Sequence, residues 1–234
     1  MQLFYAPHIE SETYILNLDE SKHCVRVLRK KKGDFVQLVD GKGGIYTAII
    51  SDPNPKQCIL NIESVEKVED DITHPVHIAI APTKNNVRFE WFLEKATEIG
   101  VSTITPIICN HSERKMLKTD RLKNVLISAM KQSERIYLPK LNPIIKFDDF
   151  IKQECKGQGF IAHCQRNQKP HLKNSIDIGG KELSILIGPE GDFSADEILR
   201  AEKMGYKSVS LGESRLRTET AAIVACHTCN LINQ

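Results

Sequence analysis

Residues 183–226, LSILIGPEGDFSADEILRAEKMGYKSVSLGESRLRTETAAIVAC, constrain the fold more than any other part of the chain. They hold two apolar runs, each released into a glycine-bearing loop and then a helix. LSILI at 183–187 leads into GPEGDF and a helix opened by Ser194, with Glu197 three residues on in capping-box spacing. Val209 to Leu211 leads into GESRLRT and a helix beginning near Thr218 or Glu219. Two loops then emerge side by side at strand ends, and in a parallel α/β sheet the crevice beyond the carboxyl ends of the strands is where ligands bind.

The rest of the chain divides by texture. Over residues 1–70 short alternating runs dominate: Thr13 to Leu18, Asp34 to Val39, Ile45 to Ile50 after the turn-like DGKGG at 40–44, and Cys58 to Val65. A short helix is expected from Glu20 to Arg29 with Val25 and Leu28 inward. A small all-β unit must close or cover its edges, so a barrel is expected. The charged segment EKVEDDITHP at 66–75 marks the boundary. Beyond it strands alternate with helices, which predicts a mostly parallel sheet. Its further strands are Val76 to Ala81, Thr103 to Ile108 and Phe160 to Cys164. Helices are expected over Arg88 to Ile99, ended by Gly100, and over Arg121 to Ile136, before Pro139. The helix TAAIVAC is apolar around most of its circumference, which predicts burial.

A length of 234 residues allows one large domain or two unequal ones, and 41% hydrophobic against 26% charged residues describes a chain able to bury a core. Seven dispersed cysteines suggest no disulfide framework and fit a reducing cytoplasm. MQLFYAPHIE has no basic flank followed by an apolar core, and no run approaches membrane-spanning length. The expectation is a cytoplasmic protein without a membrane partner.

Several chemistries are excluded by residue type. Asp192 follows the last glycine of GPEG where a phosphate loop needs lysine then Ser or Thr, and the G-x-G-x-x-G dinucleotide fingerprint is absent. CHTC at 226–229 has no second cysteine pair nearby and falls within a helix, and there is no H-E-x-x-H, so no metal is expected. Gly188 and Gly191 permit unusual φ values and the close approach of a ligand, with Pro189 stiffening the turn. A tight strand-to-helix connection and a ligand loop both satisfy this pattern. Arg215 and Arg217 precede a helix N-terminus, where positive charge opposes the macrodipole, so either a carboxylate such as Glu190 or Glu219 or a bound anion must offset them. The basic runs RVLRKKKG at 26–33 and SERKMLKTDRLK at 112–123 read as solvated faces or as phosphate contacts.

IGPEGDFSADE and SLGESRLRTETAAI together resemble the signature of the RsmE family, the 16S rRNA uracil-N3 methyltransferases of the SPOUT superfamily. The likeness continues through KHCVRVLR at 22–29, Lys84 with KATEIG at 95–100, and KQSERIYLP at 131–139. Two positions depart from the family pattern: Asp192 stands where a third glycine is usual, and NHSER at 110–114 differs from the usual Arg-Ser arrangement. The resemblance implies an α+β architecture, with a PUA-like RNA-binding β-barrel over 1–70 and an α/β SPOUT domain with a C-terminal trefoil knot over 71–234. It implies S-adenosyl-L-methionine as cofactor, held by Leu186, Ile187, Gly188, Pro189, Glu190, Gly191, Leu211, Gly212, Leu216, Arg217 and Thr218. Arg217, Glu190 and Glu219 are the implied catalytic candidates. His23, Arg26, Arg29, Lys30, Arg114 and Arg135 are the implied RNA contacts. The implied partners are 16S rRNA in the small ribosomal subunit and a second copy of the chain, with Trp91 at a helix surface or dimer contact. The alternative is a non-catalytic RNA-binding or ribosome-assembly protein on the same fold, against which stand the intact Gly188, Glu190, Gly212, Arg217 and Glu219.

Overall fold

The alternating segments near the amino terminus pair into one sheet in the computed structural model, which describes residues 3–69, 74–153, 155, 157–165, 168–177 and 182–232. Its strands are β1 (Leu3–Tyr5), β2 (Thr13–Ile15), β3 (Phe35–Val39), β4 (Gly44–Asp52) and β5 (Ile59–Lys67), in the order β1-β3-β4-β5-β2. Asp40 makes the β3–β4 turn, its Oδ1 accepting from the backbone N–H of both Lys42 and Gly44. The sheet is a half-barrel and not the closed barrel expected: among the described residues β1 and β2 remain its two edges. Its open side is covered instead. Phe4, Leu16, Val36, Leu38, Ile50 and Leu60 form the core, and Cys24, Val25 and Leu28 pack on it from a short helix, α1 (Leu18–Lys22), and the π-helical turn His23–Val27. The helix expected to Arg29 thus changes its winding partway, and Arg29 leaves it in the left-handed region at φ 55°.

The remaining elements are β6 (Val76–Ile80), α2 (Asn86–Ile99), β7 (Thr103–Ile108), α3 (Thr119–Gln132), β8 (Lys140–Leu141), β9 (Ile145–Lys146), α4 (Phe147–Ile151), β10 (Gln158–Ala162), β11 (Leu183–Ile187), α5 (Ala195–Lys203), β12 (Lys207–Val209) and α6 (Thr218–Ile232). The strands form one sheet in the order β12-β10-β11-β6-β7-β8, with β9 also on β7, and every pairing is parallel. All five residues of β11 are buried, as a strand covered on both faces requires. On one face Phe147, Phe150, Ile198 and Ala201 pack with Ala79, Ile107, Ile161 and Leu186. On the other, α6 lies against β6 and β11 and beside α2.

Three expectations are corrected by packing. The chain forms two compact units, Met1–Asp71 with Ile127–Leu138, and Ile72–Leu126 with Pro139–Gln234. Residues 127–138 therefore belong to the first unit, because Met130, Ile136 and Leu138 bury against Leu3, Tyr5, Val39 and Ile45. The boundary itself, at 70/71, lies outside the described residues. Helix α3 stops at Gln132 and not at Ile136, since Ser133 Oγ turns back to the Ala129 carbonyl and Glu134 takes φ 55°. Helix α6 is buried on one stripe only, at Thr218, Glu219, Ala222, Ala225, Cys226 and Cys229, while His227 is exposed and Leu231 is 60% exposed.

Candidate active site

The carboxyl ends of the central strands lie level: Ala162 pairs with Ile187 and Val209, and Ile187 with Ile80. The loops that follow β6, β10, β11 and β12 consequently emerge together. The capping box opens α5 as its spacing predicts, Ser194 Oγ accepting from the Glu197 N–H and Glu197 Oε2 from the Ser194 N–H. Glu197 Oε1 also accepts from the Asn110 N–H, which ties the loop after β7 to the same helix.

Within GPEGDF the left-handed residue is Asp192, at φ 64°, and neither glycine. Gly188 and Gly191 serve close approach instead. A Cβ on Gly188 would lie 3.0 Å from the Phe193 ring, and one on Gly191 3.0 Å from His111 Cβ. Asp192 offsets its backbone strain with bonds in three directions. Its Oδ1 accepts from the Phe193 N–H and its Oδ2 from the Cys164 N–H, each at 2.8 Å, and its carbonyl accepts from His111 Nδ1 at 2.9 Å. The loops after β7, β10 and β11 are thereby locked together. Thr218 Oγ donates to the Gly188 carbonyl at 3.1 Å and fastens the loop after β12 to the same assembly.

Between these loops lies a cavity of about 270 Å³ lined by Ile187, Gly188, Pro189, Glu190, Leu216, Arg217 and Thr218. A second, of about 640 Å³, is lined by His163, Lys169, His171, Leu211, Gly212 and Leu216. Ala162, Cys164, Arg215, Leu216 and Ala221 line both, so the two form one cleft. Of the eleven residues implied for the cofactor, nine line this cleft. Leu186 points into the core under α5, and Gly191 packs on His111.

The carboxylates part company. Glu190 is exposed on the cleft, its Oε1 accepting from the Lys84 N–H at 3.0 Å. Glu219 is 6% exposed, with Oε1 3.7 Å from Arg88 Nε on α2 and Oε2 lacking a hydrogen-bond partner among the described residues. It does not line the cleft, although it follows Thr218, which does. Neither carboxylate offsets the arginines: Arg217 is exposed on the cleft wall, and Glu190 and Glu219 are turned toward Lys84 and Arg88.

Sequence reasoning missed His163, Lys169 and His171. Lys169 Nζ donates to His163 Nδ1 at 3.2 Å, so the ring proton sits on Nε2, 3.0 Å from Ser208 Oγ, which in turn donates to Glu202 Oε1 at 2.7 Å. Burial first, and then Lys169, lowers the His163 pKa. The available signal was that HCQ follows a third parallel strand, whose end belongs to the same crevice.

The implied RNA contacts divide between the units. His23, Arg26, Arg29, Lys30 and Arg135 belong to the first, with Arg26 and Arg29 exposed and His23 half-buried edge-on to Phe4. Arg114 belongs to the second and is engaged internally: its Nε and Nη2 donate to the carbonyls of Thr83 and Lys84. It braces the loop that holds Glu190.

Residues 70–230 match the RNA methyltransferase domain, and residues 16–63 match the RNA methyltransferase PUA domain. The chain belongs to the RNA methyltransferase family. Within that family, ribosomal RNA small subunit methyltransferase E of Rickettsia conorii is 29% identical, the match covering 95% of this chain and 91% of the relative. The Buchnera aphidicola (Acyrthosiphon pisum) protein of the same name is 31% identical over 92% of this chain and 86% of its own. A crystal structure described as a "probable rRNA-methyltransferase" from Porphyromonas gingivalis superposes with a TM-score of 0.92 at 40% identity, covering 100% of this chain and 98% of the other. Ribosomal RNA small subunit methyltransferase E from Neisseria gonorrhoeae, solved bound to S-adenosyl methionine, superposes with a TM-score of 0.83 at 28% identity, covering 97% and 95%.

Proposed function

We propose that this RNA methyltransferase moves the methyl group of S-adenosylmethionine to N3 of a uridine in the 16S rRNA of the small ribosomal subunit. The observation that carries the reading is the single cleft formed where the GPEG loop and the LRT segment are fastened together by Thr218 and Gly188. Its residues fit the cofactor. Ala162, Ile187, Leu216 and Ala221 offer an apolar wall for a purine ring. The tight fit at Gly188, where a Cβ would lie 3.0 Å from the Phe193 ring, keeps the loop backbone close, where its polar groups can be shared with a ligand. Leu211, Gly212 and Thr218 complete the cradle. When bound, the cofactor supplies an electrophilic sulfonium methyl group.

The chain's own residues must do the rest. A uracil N3 carries an imide proton and is a weak nucleophile until that proton leaves. Of the carboxylates lining the cleft, Asp192 is engaged by backbone N–H groups through both oxygens, whereas Glu190 accepts through Oε1 from the Lys84 amide, and its carboxylate is the group that takes the proton. Arg217, on the same wall, stabilises negative charge developing on a uracil carbonyl. Glu219 holds the first turn of α6 beside Arg88 of α2. In the first unit, read as the PUA-like RNA-binding domain over 1–70, Arg26, Arg29 and Lys30 bind phosphates, with His23 and Arg135 on the same unit.

The second unit, 72–126 with 139–234, is read as the SPOUT domain expected over 71–234, with its carboxyl-terminal loops in a trefoil knot, which the shared signature motifs support. A homodimer is supported by the second face of α6, where Ile223 and Val224 are only half-buried and Leu231 is bare, and by Trp91, 42% exposed on the neighbouring α2. Free cysteines throughout the described residues support a cytoplasmic setting. No helix among the described residues is long and apolar enough to cross a membrane.

The test is to incubate the protein with methyl-labelled S-adenosylmethionine and small subunits lacking the modification, then map the label. Transfer to N3 of one uridine is expected. Absence of transfer together with absence of cofactor binding sinks the proposal.

A further inference from the structure

The outer face of the half-barrel is covered at one end and bare at the other. Val39 and Ile45, opposed on β3 and β4, lie under Met130, Ile136 and Leu138. Two steps of the pleat away on the same face, Phe35 opposes Ile49, Ile49 opposes Asn61, and Asn61 opposes Thr13. This row crosses four strands; Phe35, Asn61 and Thr13 are exposed and Ile49 is half-buried. Phe35 is 58% exposed and Ile15, next on that face of β2, is 47% exposed. The neighbours Val36 and Leu38 supply the core, so the fold asks for no ring at Phe35.

Charge decides what such a row can receive. The loop leading into Phe35 holds Arg29, Lys30, Lys31 and Lys32, and Arg26 is exposed just before it. Lys30 Nζ donates to the Phe35 carbonyl at 3.1 Å, which brings an ammonium group to the Phe35 backbone. Protein interfaces are depleted of charge at their cores. An exposed ring beside Ile49, with the polar Asn61 and Thr13 further along the row and the Lys30 ammonium at the Phe35 backbone, is instead the pattern of single-stranded nucleic acid, whose phosphates meet cations and whose unstacked bases meet an aromatic face.

We propose that Phe35 is a stacking platform for an unpaired base of the RNA substrate. The basic loop at 26–32 holds the neighbouring phosphates, and Asn61 presents an amide beside the base edge. This rests on the reading of the chain as an rRNA methyltransferase, and its test separates the two.

The full chain is titrated, over a series of salt concentrations, into a short unstructured RNA and into an RNA duplex of equal length, with thermal melts as a check on folding. Phe35→Ala is expected to weaken binding of the unstructured RNA roughly tenfold, with duplex binding and the salt slope unchanged. Phe35→Trp is expected to restore it. Arg29→Ala is expected to weaken both RNAs and to lower the salt slope by about one. If Phe35→Ala binds as the parent does while Arg29→Ala loses affinity, the platform is overturned and RNA binding by the loop stands. If neither substitution has an effect, RNA binding by this loop falls with the platform. Equal losses on both RNAs, or failure of Trp to restore binding, also overturn stacking.

Discussion

Arg217 and Asp192 stand on opposite sides of the cleft's chemistry, one facing the reaction and one holding the loops that frame it. Replacing Arg217 by Ala removes a donor aimed at developing charge, and is expected to lower single-turnover methylation roughly a hundred- to a thousandfold. Cofactor affinity by calorimetry is expected to stay within about threefold, because the apolar wall and loop backbone are untouched. Unchanged turnover would remove Arg217 from the mechanism. For Asp192, Ala keeps the left-handed strain while losing both carboxylate bonds, Gly loses the bonds but relieves the strain, and Asn tolerates the conformation while keeping an acceptor. Cofactor affinity and melting temperature are expected to fall in the order Asn, Gly, Ala, and an Ala variant as tight and stable as the parent would contradict the clamp. The presence of a loop at 188–192 was legible because two glycines and a proline in five residues end a strand, whereas its left-handed residue, Asp192, was not. The direction of Glu219 was not: consecutive helical residues point about 100° apart, and only the packing of α6 on α2 decides that Thr218 meets the cleft and Glu219 does not.

At the scale of elements, the joints between loops carry the site. Thr218→Val leaves the Gly188 carbonyl without its side-chain donor in a buried setting, an expected loss of about 1–3 kcal/mol. The cofactor Kd is expected to rise more than the maximal rate falls, since the joint shapes the cradle and touches no reacting atom; denaturant unfolding and ligand titration check the two parts. Strands β7 and β11 were legible to the residue, because both are apolar runs in a sheet covered on both faces. The second loop's strand was displaced, lying at Lys207–Val209 where Val209 to Leu211 was expected. Ser210 passes its backbone bonds to Pro170 and Leu172 instead, a partner that local pattern does not reveal. The open edges of the half-barrel and the placement of 127–138 in the first unit were illegible for the same reason. Both depend on which distant apolar surface arrives to cover an edge or face.

At the scale of the whole molecule, two histidines give its stability a defined acid limb. His77 lies largely but not fully enclosed near the amino end of β6, its side chain 13% exposed, with Nδ1 3.3 Å from Glu182 Oε1 and Nε2 2.7 Å from Thr105 Oγ. The Glu182 carboxylate accepts from Nδ1–H, so in the neutral ring Nε2 is the acceptor for the Thr105 hydroxyl, which also accepts from Asn142, and a second ring proton would have to displace that bond. Burial lowers the His77 pKa and outweighs the opposing pull of Glu182. His163 is lowered likewise, by burial and by Lys169. In the unfolded chain both titrate near 6.5, the ordinary imidazole value, whereas the folded chain takes up these protons only at lower pH. Between those limits the unfolded state binds more protons, so unfolding free energy rises with pH, by at most about 1.4 kcal/mol per pH unit for each group. The contribution is complete above pH 6.5 and is lost as pH falls through the folded values. Urea unfolding at a series of pH values is therefore expected to show stability dropping below that point, before carboxylates titrate. His163→Gln and His77→Gln are each expected to flatten the drop, His77→Gln from a lower starting stability because its ring also packs edge-on to Phe150 at 5.6 Å. Variants whose stability falls with pH in parallel with the parent would place the acid limb elsewhere.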